Sequence, residues 1–296
     1  MSKLPIVLAL ALSTAGASYA DAPPKPDLRL HQLPPAAAPG EDPTFRYDLR
    51  WELPSTGVLL GAWIAADLAT SRLAPRSCVM CETRGPNGQG GVNALDLSTR
   101  NALRWGNTHT ADVASTVIGF AIVPAAALGL DLLVSGGDGG LRRFAVDVML
   151  ITESAVVAAA LTDVAKFTVG RARPYVQDLP AGAPFNAENN LSFFSGHTSF
   201  AFAVASAAGT IATMRGYKYA PIVWVVGMAL AATTGYLRMA ADQHYLTDVL
   251  MGAAVGTAVG VAVPYLHKKK WSDKVPSLGG GRYPEGGGYV TASWKW

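Results

Sequence analysis

Five long apolar stretches, at about 112–135, 143–166, 197–214, 220–238 and 246–266, set the pattern of this chain. Each is rich in Ala, Val, Leu and Gly, has helical length and lacks the apolar–polar alternation of a strand, which predicts helices packed through small residues. Asp131, Asp147, Glu153 and Asp163 interrupt two of the stretches. Ionisable groups facing lipid are expensive, so all four are expected to turn toward the bundle or toward water. The predicted fold class is all-α, a helical bundle of about five to six core helices embedded in or lying against a membrane.

The flanks read differently. An apolar run from Leu4 to Leu12 behind Lys3, followed by Ser18-Tyr19-Ala20 and Asp21, has the form of a secretory signal cleaved after Ala20. Residues 21–52 are rich in Pro and Ala, and so many fixed φ angles and missing amide donors cannot build a core, so this segment is expected to be an arm. The helical domain is placed at 53–270, and a Gly-rich tail at 271–296. The last eight residues of the tail alternate loosely like a strand, but one strand does not stand alone. From Thr56 to Thr70 a further apolar segment of 15 residues is short for a hydrocarbon core of about 30 Å. The Gly-rich loop 84–91 lacks the Lys-Ser/Thr ending of a phosphate-cradling P-loop.

Composition supports a membrane setting and excludes one class. Half the residues are hydrophobic, 15% are charged and the mean hydropathy is +0.24. A net charge of +3, with no long basic run, gives no footprint for nucleic acid. Basic residues are placed rather than spread: Arg142-Arg143, Arg215 with Lys218, and Lys268-Lys269-Lys270 fall between or after the long stretches. If all five stretches cross, these groups share one side, which the positive-inside rule makes cytoplasmic. A cleaved signal would leave residue 21 outside, where the 112–135 segment must also start, so Thr56–Thr70 is expected to dip or lie flat. Cys78 and Cys81 are the only cysteines, and in an exported chain they suggest a local disulfide.

Chemistry concentrates between Lys166 and Asp248, in three clusters at the ends of apolar segments. Lys166 ends one helix, and Pro174 forces Arg173 out of helical geometry, so two cations meet at one helix mouth. Thr152, Ala159, Thr162 and Asp163 share the Lys166 face at 100° per residue, whereas Glu153 falls on another side. The alternative is that Lys166, Arg171 and Arg173 only snorkel to lipid phosphates. Ser195-Gly196-His197 opens the next apolar helix, where free amides, a glycine and a hydroxyl make an anion cradle; equally, Ser195 could be a plain N-cap. His244 and Asp248 are four apart and share a helical face, so the carboxylate could accept the Nδ1 proton and leave Nε2 basic, or the two could simply be an exposed pair. Arg238 can fork onto two oxygens of a tetrahedral anion. His31, His109 and His267 lie outside these clusters, which leaves a metal centre short of ligands. A serine-hydrolase triad through Ser195 is a further option, against which the excess of cations argues.

The order Lys-x6-Arg-Pro, Ser-Gly-His, Arg-x5-His-x3-Asp resembles the type 2 phosphatidic acid phosphatase superfamily, which also holds bacterial acid phosphatases and vanadium haloperoxidases; the resemblance covers roughly residues 112–266. It departs at Phe194, where the family usually has proline, and at Leu237, where it usually has serine. The resemblance implies a bundle of that kind in which His244 attacks phosphorus, Asp248 orients it, and His197 protonates the leaving oxygen and then activates water. Lys166, Arg173, Arg238, Ser195 and the Gly196 amide would bind the nonbridging oxygens. It further implies a metal-independent reaction with no cofactor, inhibited by vanadate. The apolar helices beside the site point to a lipid or polyprenyl phosphate at a bacterial inner membrane, with the site facing the periplasm. Three alternatives are a soluble periplasmic acid phosphatase, a vanadate-dependent haloperoxidase and a non-catalytic lipid-binding membrane protein.

Overall fold

The computed structural model describes residues 42, 44–47, 49–79, 92–134, 140–180 and 182–269, together with the backbone of 277–282 and 288–293. The expected signal, most of the Pro/Ala arm, Cys81 and the loop 84–91 lie outside the described residues. Cys78 is disulfide-bonded.

The helices are α1 (Leu49–Leu68), α2 (Thr70–Leu73), α3 (Ala94–Leu103), α4 (Thr108–Val117), α5 (Val123–Val134), α6 (Gly140–Val169), α7 (Gly196–Met214), α8 (Ala220–Ala240) and α9 (Leu246–His267). A π-helical turn, Ile118–Ile122, joins α4 to α5. The five apolar stretches thus became α4–α5, α6, α7, α8 and α9. Among the described residues, four runs are long and apolar enough to cross a membrane: Thr108–Val134, Leu141–Asp178, Ala220–Ala240 and Leu246–His267. Leu133, Val225 and Leu250, 76%, 69% and 56% exposed, point outward where lipid would accept them. Asp42–Lys268 form an all-α bundle whose long helices have the length and apolar character of membrane-spanning ones.

The axis of that bundle is α7, in which every residue from Ala203 to Ala212 is buried. Its contact with α9 is backbone-close because α9 offers glycine every fourth residue. A Cβ added at Gly252, Gly256 or Gly260 would stand 2.7, 2.2 or 2.4 Å from the carbonyl oxygens of Ser195, Ser199 and Ala203. Two helices with small residues at that spacing interlock at a fixed register. The four acidic interruptions do turn inward: Asp131 and Asp147 are buried, Glu153 faces His267 and Asp163 lines a cavity.

The three basic groups that precede or follow the long helices meet at one end. Arg215 Nη2 lies 3.5 Å from the Arg143 carbonyl oxygen and pairs with Asp147 and Asp42, while Phe45, under the Arg215 guanidinium, bridges to Lys268. Lys166, Gly196 and His197 lie at the opposite end. The helix containing Thr56 starts earlier than expected, at Leu49, and runs along the bundle from one end to the other. Glu52 in its first turn is 3.4 Å from His267 at the basic end, and Trp63 and Asp67 line the cavity beside Lys166. Its 20 residues rise about 30 Å, the thickness of a hydrocarbon core. Separately, the tail forms a hairpin of β1 (Ser277–Arg282) and β2 (Gly288–Ser293), paired from Ser277↔Ser293 to Arg282↔Gly288. The partner that the last strand needed is the Gly-rich run before it.

Candidate active site

Lys166 sits in the last turn of α6, which ends where Gly170 adopts φ +55 and the chain turns out of the helix. A methyl group at Gly196 would lie 3.6 Å from Lys166 Nζ, so the ammonium stands over the start of α7. There the first amides of α7 have no partner within the helix. Lys166, Gly196 and His197 line one cavity of about 300 Å³, walled by Phe120, Phe200, Trp63, Asp67, Thr162 and Asp163. The His197 ring is set by Thr116 Oγ1, 3.1 Å from Nε2, and by the Phe120 edge at 4.7 Å. Phe120 comes from the π-helical turn, a distortion that often marks functional positions.

Behind this cavity the other expected residues are buried. Arg173, in extended geometry before Pro174, reaches Gln243 and Glu188, and Arg238, at the end of α8, reaches Asp112 and Ser115. Each keeps its Nε buried with no hydrogen-bond partner. Neither arginine snorkels, nor does Arg171, which is 9% exposed. Ser195 is fully buried, its Oγ 2.8 Å from Thr198 Oγ1 and its amide donating to the Asp248 carbonyl at 3.1 Å.

His244 lies in the short turn between α8 and α9. Its Nδ1 donates to the Ser192 carbonyl at 2.7 Å, and Asp248 Oδ2 is 3.9 Å away. The direct carboxylate–imidazole bond read from the i,i+4 spacing is therefore absent. The tautomer is the expected one, with Nε2 left as acceptor, but a backbone oxygen fixes it. Burial first, then the charges of Arg238, Arg173, Lys166 and His197, hold the His244 pKa well below the usual imidazole range. Both effects favour the neutral ring.

Asp248 acts one step removed. It accepts from Ser192 Oγ at 2.6 Å, the Tyr245 amide at 2.9 Å and Arg171 Nη1 at 2.5 Å, and so locks the loop whose carbonyl holds His244. Arg171 also reaches Asp96 at 2.7 Å and lies over the Tyr245 ring. Asp96 in turn accepts from the amide and hydroxyl of Thr247 at 2.9 and 2.6 Å. Four residues on, Arg100 grips Asp242, with Nε and Nη2 each 2.7 Å from the carboxylate. Asp242 has φ +59, which a short polar side chain tolerates. Thus α3 braces the His244 turn on both sides. The sequence reading named neither α3 nor Asp96, and Arg171 entered it only in the alternative of a lipid-facing cation.

The arrangement is a cationic pocket with a neutral, oriented imidazole, at one end of a helical bundle. Residues 147–272, the segment that carries the three clusters, match the family model of the PAP2 superfamily. Among curated proteins the chain is similar to phospholipid phosphatase 2 of Rattus norvegicus, 33% identical over 129 residues that make up 36% of this chain and 47% of that one. It is also similar to lipid A 1-phosphatase of Porphyromonas gingivalis, 33% identical over 114 residues, 38% of this chain and 22% of that one. It therefore spans less than half the length of these relatives. Among solved structures, a transmembrane PAP2-type phosphatidylglycerolphosphate phosphatase from Bacillus subtilis aligns over 71% of this chain and 94% of that one, at 18% identity and a TM-score of 0.42.

Proposed function

We propose that this protein is a phosphoric ester hydrolase that removes phosphate from a lipid or polyprenyl phosphate through a phosphohistidine. His244 Nε2, kept unprotonated by burial and by the surrounding cations, attacks phosphorus in line with the leaving oxygen. His197, which takes up a proton from solvent once the substrate's negative charge offsets the surrounding cations, protonates that oxygen and then takes a proton from the water that cleaves the phosphohistidine. Lys166, Arg173, Arg238, the Ser195 hydroxyl and the Gly196 amide bind the nonbridging oxygens. These fixed charges supply the stabilisation that a metal gives elsewhere, so the reaction needs none, and vanadate is expected to compete as a phosphate mimic. Asp248 is a positioning residue that acts through Ser192. With the basic end inward, the site opens on the exported face of the membrane, the periplasm in a bacterium.

The observation that carries this reading is the pair of buried guanidinium Nε groups, of Arg173 and Arg238, left without acceptors beside a neutral His244. Buried donors of that kind ask for an anion. The resemblance to phosphatases of phospholipid and lipid A supports a lipid phosphate as that anion's source. The test is a quench-trap with radiolabelled lipid phosphate and purified protein in detergent. The wild type should yield an acid-labile, alkali-stable phosphoprotein. His244→Ala should lose both label and turnover, and His197→Ala should retain label longer because its water is no longer activated. Hydrolysis by His244→Ala at the wild-type rate would remove the proposal.

A further inference from the structure

At the end of the bundle away from His197, α1, α6 and α9 bring a second set of ligating side chains together. Glu52, Glu153 and His267 each present one atom, and the three atoms lie within 4.8 Å of one another. His267 Nε2 is 3.4 Å from Glu52 Oε1 and 3.6 Å from Glu153 Oε2. Both separations exceed the 2.7–3.2 Å or so of an N–H···O bond. They do match the roughly 3.4 Å edge of a tetrahedron whose ligands stand about 2.1 Å from a metal ion.

The ring's tautomer gives an independent indication. His267 Nδ1 lies 2.9 Å from the Val263 carbonyl oxygen, which can only accept, so Nδ1 carries the proton. In the neutral ring Nε2 then turns a lone pair toward two carboxylates, the second-sphere arrangement that orients metal-bound histidines. Glu153 Oε2 is sealed from solvent without a hydrogen-bond donor. The Tyr47 hydroxyl is another buried polar atom without a partner, on a ring 6.0 Å from that of His267. Three lone pairs converging on one point repel unless a proton or a metal ion sits among them. Glu153 lies on a different face of α6 from Lys166, so this cluster does not serve the phosphate pocket.

We propose that Glu52, Glu153 and His267 bind one divalent ion of the zinc class, with water or the Tyr47 hydroxyl completing the shell, and so fasten α1 to α6 and α9. Since α1 carries Trp63 and Asp67 to the phosphatase cavity, the ion would hold one wall of that cavity in place. The experiment uses the full chain without an affinity tag, stripped by chelator and back-titrated with Zn²⁺ and, separately, Co²⁺. One ion per chain should survive gel filtration, and the Co²⁺ form should show the intense visible absorption of four-coordinate cobalt. E52Q, E153Q and H267Q should each weaken Zn²⁺ binding at least tenfold; Glu52, in the half-exposed first turn of α1, is the variant that keeps the fold. His244→Ala should bind as the wild type does, which separates this proposal from the phosphatase reading. Wild-type protein that retains no stoichiometric Zn²⁺, or an E52Q variant that binds it undiminished, would overturn the proposal.

Discussion

Arg171 holds together two carboxylates that could not otherwise stay ionised side by side. Asp248 is fully buried and Asp96 equally so, and the guanidinium between them reaches both. Removing one partner of a buried charge cluster leaves the others uncompensated, a loss of about 3–5 kcal/mol. Arg171→Gln is therefore expected to lower thermal stability in detergent by several degrees at neutral pH and to depress turnover through the Ser192–His244 contact. The pH dependence follows from Asp96. Burial pushes its pKa up, but hydrogen bonds from Thr247, Arg171 and Asn93 outweigh burial and hold it below the usual carboxylate range. A group depressed in the folded state stabilises above its unfolded pKa, about 3.9, and loses that contribution as pH falls through the folded value. The gap between wild type and Arg171→Gln should accordingly be widest near neutrality and narrow in acid; an equal gap throughout would show that the charge is not what Arg171 contributes. Lys166, Gly196 and His197 could be read from sequence because cation, glycine and imidazole stand at helix ends that the apolar stretches define. Asp248 was read as the partner of His244 because i,i+4 spacing fixes a face of a helix, yet His244 precedes α9 and its acceptor comes from a loop with no periodicity.

At the scale of elements, the α7–α9 contact sets where Ser195 and Asp248 stand, and glycine makes it possible. Gly252→Ala would put a methyl group 2.7 Å from the Ser195 carbonyl, and Gly256→Ala one 2.2 Å from that of Ser199. Backbone cannot give way as a flexible side chain does, so each change should cost about 1–3 kcal/mol by overpacking. Gly252→Ala should in addition lower turnover at temperatures where the protein remains folded, because its strain falls on the phosphate cradle. Gly57→Ala, with nothing within 4 Å of the new methyl, should by contrast leave stability equal or slightly higher. Melting curves of the three variants check this ordering. The long helices were visible in sequence because each is apolar over its whole length, and their observed ends fall within a few residues of expectation. By contrast α3 was invisible. Its buried residues, Asp96 and Arg100, are polar, and Arg171, Thr247 and Asp242, which satisfy them, lie 75, 151 and 142 positions away.

For the whole molecule, the path of α1 decides the topology. It runs from the basic end to the Lys166–His197 cavity alongside α6, and the Thr108–Val134 run then starts at the cavity end and leads back to Asp131 near Arg215. Arg143, Arg215 and Lys268 gather at the far end, which the positive-inside rule assigns to the cytoplasm. On that assignment Thr44, just ahead of α1, is expected on the cytoplasmic side, whereas a signal cleaved after Ala20 leaves residue 21 outside. Single substitutions Thr44→Cys, Phe185→Cys and Lys218→Cys test this against a membrane-impermeant maleimide, with Cys78 kept in its disulfide by omitting reductant. Phe185, 48% exposed beside the pocket end, should label in intact cells. Lys218 should label only after the membrane is opened, and Thr44 should behave as Lys218 does. Thr44 labelling from outside together with Phe185 would mean that α1 does not cross, and the cleaved-signal reading would then stand.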